Sequence, residues 1–125
     1  MNSRFLTPIS ELINSAASGW HAGKGHKFIK QGKFQDALRH YELALKYEIR
    51  GKVGPNPATL ECIARTHARL KNIKEALSTA KTSYDLYKKL NGSKNVTANS
   101  IARMERFLVA LKTGNQDEIN KILRI

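Results

Sequence analysis

Cysteine occurs once, at Cys62, so no disulfide can form within the chain. A cystine-stapled secreted scaffold is excluded, and a reducing compartment, the cytoplasm, is the expected setting. Proline occurs at Pro8, Pro55 and Pro57 only, and β-branched residues never alternate over a useful length, so strand signals are nearly absent. Long apolar runs are missing too. The longest, Phe107 to Leu111, falls far short of the roughly 20 residues of a membrane-spanning helix, so no membrane span is expected. The opening residues lack a secretion-signal pattern, because mixed polar residues follow Arg4 and Glu11 stands where an apolar stretch would be. Glu11 and the single Arg also count against a mitochondrial presequence.

Acidic residues number only 10 and stand singly, so spacing offers no paired acid and base. Histidine and cysteine are also poorly placed for chemistry. His21 and His26 are five apart, as are Cys62 and His67, which puts neither pair on one helical face for a metal. No His stands three or four residues from Cys62 to activate it, so Cys62 reads as a small buried hydrophobe. The glycine-rich run Gly19-Trp20-His21-Ala22-Gly23-Lys24-Gly25 is not a phosphate loop. Its glycines are too closely spaced, Gly25 stands where Ser or Thr would hold magnesium, and no strand precedes it. No enzyme, metal or cofactor is expected.

What the chain does contain is charge of one sign. Lys and Arg total 22, giving a net charge of +12 and a pI near 10.1 over 125 residues and 14.0 kDa. Such a field favours acidic protein segments, nucleic acid or anionic surfaces. No cationic run exceeds the pair Lys88-Lys89, so the charge does not sit in a tail. The length suits one domain, and 41% hydrophobic residues suit a folded core.

Helical periodicity is strong. Phe34, Ala37, Leu38, Tyr41, Ala44 and Leu45 step by three and four, as do Ile73, Ala76, Leu77, Ala80, Tyr84 and Tyr87. Leu60, Ile63, Ala64, His67 and Leu70 make a third stripe, and Ile101, Met104, Leu108 and Leu111 a fourth. Thr7-Pro8 reads as N-cap and first residue of a helix over 7–18. Gly32 marks a tight turn, Gly51 to Pro57 a loop ending in a helix-starting proline, and Asn72 a left-handed turn residue. Asn91-Gly92-Ser93 and Thr113-Gly114-Asn115 close two further helices. Six or seven antiparallel helices result.

An offset of 39 residues superposes Phe34 on Ile73, Asp36 on Glu75, Ala37 on Ala76, Leu38 on Leu77 and Gly25 on Ala64. Self-similarity at this period signals a repeat architecture. The segment Gly25-x-x-Phe28-x-x-x-Gly32-x-Phe34-x-x-Ala37-x-x-x-Tyr41-x-x-Ala44 resembles a tetratricopeptide repeat, in which small residues let helices approach and aromatics fill the gaps. The loop residues Gly54-Pro55-Asn56-Pro57 resemble the longer-period variety of kinesin light chains. The second copy spans 57–90. A third, keeping Gly114 and Ile119, is degenerate or consists of capping helices over 95–125.

The resemblance implies an all-α, right-handed stack of helical hairpins, with a helix over 7–18 preceding a first repeat over 18–51. It also implies a concave surface lined by the first helix of each repeat. His26 and Lys30, then Arg65 and Arg69, then Lys112 fall on that surface as a basic groove. The expected function is a non-enzymatic adaptor that binds an acidic peptide or protein segment there. Two other readings stand beside it. One is a helical-repeat protein that binds nucleic acid such as RNA, which the scarcity of aromatics (7%) opposes. The other is a microtubule-interacting-and-trafficking domain, which Lys33 to Tyr41 resembles but whose three helices are fewer than this chain supplies.

Overall fold

A computed structural model of the chain describes residues 3–93 and 96–124, and every element there is an α-helix. The helices are α1 (Ser3–Lys30), α2 (Phe34–Arg50), α3 (Pro57–Arg69), α4 (Ile73–Lys89), α5 (Ala98–Thr113) and α6 (Gln116–Leu123). Among the described residues no helix is long and apolar enough to cross a membrane.

One turn geometry joins α1 to α2, α3 to α4 and α5 to α6. Gly32, Lys71 and Gly114 take φ of 72°, 67° and 68°. The next residues, Lys33, Asn72 and Asn115, donate their N–H five residues back to the carbonyls of Phe28, His67 and Ala110, at 2.9, 2.8 and 3.2 Å. This left-handed closure satisfies carbonyls that a helix end would otherwise strand. Each closing residue then N-caps the next helix, its carbonyl taking the N–H of Ala37, Ala76 or Ile119 at 3.0, 2.9 and 2.9 Å. The left-handed residue of the second turn is therefore Lys71, not Asn72. Asn72 is needed one step later, at φ −86°, as the cap.

The chain forms two compact units, Met1–Thr59 and Leu60–Ile125. In the first, α1 and α2 run antiparallel. Ala37, Leu38, Tyr41 and Ala44 are the buried stripe of α2. Gly25 is buried against it, for a Cβ there would stand 2.5 to 2.8 Å from the Tyr41 ring. Glu48 ties the far end of the hairpin, accepting from Ser18 Oγ at 3.0 Å, Asn56 N–H at 3.0 Å and Thr59 Oγ1 at 2.6 Å. No helix ends at residue 18, and Thr7 is not a cap: the expected 7–18 helix and the helix after it are one 28-residue helix. Proline's fixed φ is itself helical, so Pro8 near the start of α1 costs one hydrogen bond without stopping the helix.

The core of the second unit gathers Ala64 and Ala68 of α3, Ala76, Ala80 and Tyr87 of α4, Met104, Phe107, Leu108 and Leu111 of α5, and Ile119 and Ile122 of α6. Pro57 opens α3 as expected, with Asn56 Oδ1 accepting the Ala58 N–H at 2.9 Å. Cys62, expected in the core, is half-buried.

Candidate binding cleft

The polar side of α5 carries Asn99, Ala102, Arg103 and Arg106 at the i, i+3, i+4, i+7 spacing of one helical face. Opposite it on the same helix, Met104, Phe107, Leu108 and Leu111 fill the core. These four polar-side residues, with Arg65 of α3 and Ile122 of α6, line a cleft of about 260 Å³ in the second unit.

Three guanidinium groups thus converge, and each is anchored. Arg103 grips the buried Glu61 with two bonds, Nε to Oε2 and Nη2 to Oε1, both 2.8 Å. Tyr87 Oη donates to the same carboxylate at 2.8 Å. Arg65 places Nη1 3.6 Å from Glu61 and donates Nη2 to the Ile122 carbonyl at 2.8 Å. Arg106 donates Nε to Glu118 at 2.5 Å, which leaves its two terminal amino groups without a bond to any described residue. Burial alone would raise the Glu61 pKa, but the hydrogen bonds of Arg103 and Tyr87 and the charges of Arg103 and Arg65 outweigh it and hold the carboxyl below its usual range. Burial and the Glu61 charge push the Tyr87 phenol well up. Glu61 is therefore an anion and Tyr87 a neutral donor across the physiological range. Three cations face two carboxylates, Glu61 and Glu118, so the cleft keeps a positive excess with donors to spare.

The five residues expected to bind a partner are distributed as follows. Arg65 lines the cleft. Arg69 is half-buried and donates Nη2 to the Leu123 carbonyl at 2.6 Å, so with Arg65 it satisfies the C-terminal carbonyls of α6. Lys112 is exposed in the last turn of α5, outside the cleft. His26 and Lys30 belong to α1 in the other unit. His26 Nδ1 lies 2.6 Å from Tyr41 Oη, and Lys30 is exposed in the last turn. Sequence reasoning missed Arg103 and Arg106. Their signal was the spacing from Asn99, but a polar stripe on α5 gave no hint that α3 and α6 would close over it.

Two features of the first unit are cleft-like or cluster-like without being cationic sites. A cleft of about 230 Å³ is lined by Glu11, Ser18, Glu48 and Asn56 among others. Its carboxylates are engaged, since both oxygens of Glu11 accept the Lys52 N–H at 2.9 Å. Across the hairpin, Tyr47, His21, His40 and Phe28 stack in a column at centroid spacings of 5.7, 5.2 and 5.4 Å. His21 and His40 face each other through Nδ1 at 3.0 Å. Burial first, then the charges of His21, Arg39 and Lys24, lower the His40 pKa. Among the described residues no group of three His, Cys, Asp or Glu could hold a metal ion.

Comparisons of the chain with protein-family models, with curated proteins and with solved structures gave no match.

Proposed function

We propose that this chain is a non-enzymatic helical-repeat module, tetratricopeptide-like, that binds an acidic segment of another protein. The observation that carries the reading is the cleft lined by Arg65, Arg103 and Arg106. Apolar Ala102 and Ile122 sit among the cations, so a peptide can meet both charge and contact surface there. The repeated turns at Gly32, Lys71 and Gly114 support the repeat resemblance. The buried titratable group Glu61 is closed on itself as an ion pair, which supports a binding role over acid–base chemistry. A reducing, cytoplasmic setting fits the single cysteine.

The direct variant is Arg106→Glu, because the only partner of Arg106 among the described residues, Glu118, forms an exposed pair with it, while Arg65 and Arg103 are bound to the buried Glu61. At physiological salt, where charges beyond about 8 to 10 Å are screened, Arg106→Glu should weaken a fluorescent Asp/Glu-rich peptide about tenfold or more. Reversing exposed Lys30 and Lys112 should cost far less. Equal losses from both sets, or tighter binding of a single-stranded oligonucleotide than of the peptide, would move the assignment to nucleic acid.

A further inference from the structure

Helix α1 is inside out over its N-terminal half. The face turned to α2 and the following loop is Glu11, Ser18, His21, Gly25 and Phe28, at steps of seven, three, four and three residues, and it is mostly polar or small. About half a turn away, at 3.6 residues per turn, lie Ile9, Leu12, Ile13, Ala16 and Trp20. Ile9, Leu12, Ile13 and Trp20 are 57%, 71%, 59% and 59% exposed. A periodic apolar stripe about 17 Å long facing outward is the pattern of a helix missing its partner.

We infer that this stripe docks an amphipathic helix of a partner protein whose polar flanks are acidic. Charge selects the flanks. Beyond the stripe α1 carries Lys24, Lys27 and Lys30, and Glu11 is spent on the Lys52 N–H. A second copy docking through its own α1 stripe would bring lysines without a carboxylate to meet them. Small residues select a helix. Gly19 and Gly23 flank the stripe, and a Cβ at either would meet nothing within 4 Å, so the fold of this chain does not use them. Glycine disfavours a helix relative to alanine. With Ala16 they leave a shallow trough that admits the ridge of another helix, whereas a lipid surface gains nothing from it. The site lies in Met1–Thr59 and is independent of the arginine cleft in the other unit.

The test is a display library of amphipathic helices with a fixed Leu/Ile core and randomised flanks, selected on the whole protein and read by the emission of Trp20, its only tryptophan. Selected helices should be enriched in Asp and Glu and should shift Trp20 emission to the blue. They should bind Ile13→Asp and Gly23→Leu about tenfold more weakly or worse, since one charges the stripe and the other fills the trough. Both positions are exposed, so circular dichroism should show the fold retained, and Arg106→Glu should leave this binding intact. Helices without acidic bias, or equal binding to the variants, would overturn the inference. So would tighter association of Gly23→Leu with phosphatidylserine vesicles than with the peptides, or a wild-type dimer that Ile13→Asp splits.

Discussion

Gly25 and Gly19 sit six residues apart on one helix and answer to opposite constraints. At Gly25 an added methyl would meet the buried Tyr41 ring at 2.5 Å, with no room to yield. Gly25→Ala should therefore destabilise the hairpin by about 1 to 3 kcal/mol, despite alanine's better helix propensity. At Gly19 the space is open, so Gly19→Ala should stabilise by up to about 1 kcal/mol. Urea unfolding of both variants checks the pair. His40 sets a pH dependence by the same local logic. Its native pKa is depressed below the usual histidine range by burial and then by the charges of His21, Arg39 and Lys24, so on acidification the unfolded chain takes up its proton first. Stability should fall as pH drops through that region and level off below the native pKa. His40→Gln should flatten the decline between pH 7.5 and 5, as measured by denaturant midpoints. The His21–His40 contact itself leaves no trace in sequence spacing, because it joins residues nineteen apart on two different helices.

At the scale of the element, α6 is the weak member. Eight residues are too few to hold a helix alone. It persists because Ile119 and Ile122 are buried and because Arg65 and Arg69 bond the carbonyls of Ile122 and Leu123. Hydrogen bonds to charged groups contribute about 1.5 to 3 kcal/mol each. The double variant Arg65→Gln, Arg69→Gln should thus raise amide exchange in α6 about tenfold or more while leaving α1 and α2 protected. The same two arginines show where a sequence reading stops. Their register on α3 was legible, but their duty to the end of α6 was not, since it depends on a contact more than fifty residues away. The buried stripe of α2 was legible because Phe34 to Tyr41 repeats at a helical period, and Gly32 and Gly114 marked their turns. Lys71 escaped because lysine has no preference for positive φ, so the hydrogen bonds of that turn impose its conformation. The continuity of α1 escaped because Pro8, Gly19 and Gly23 look like breakers, yet each fits helical backbone.

For the whole molecule, an excess of twelve positive charges attracts anionic groups from a distance but cannot by itself place them. Placement needs convergent donors, and the described structure concentrates three guanidinium groups in one cleft of the Leu60–Ile125 unit. The most direct measurement is a ¹⁵N-resolved titration of the intact protein with an Asp/Glu-rich peptide at physiological salt. Saturable shifts centred on Asn99, Ala102, Arg106 and Ile122 are expected, with Lys30 and His26 little affected. Shifts spread evenly over exposed lysines, or centred on α1 instead, would contradict that placement.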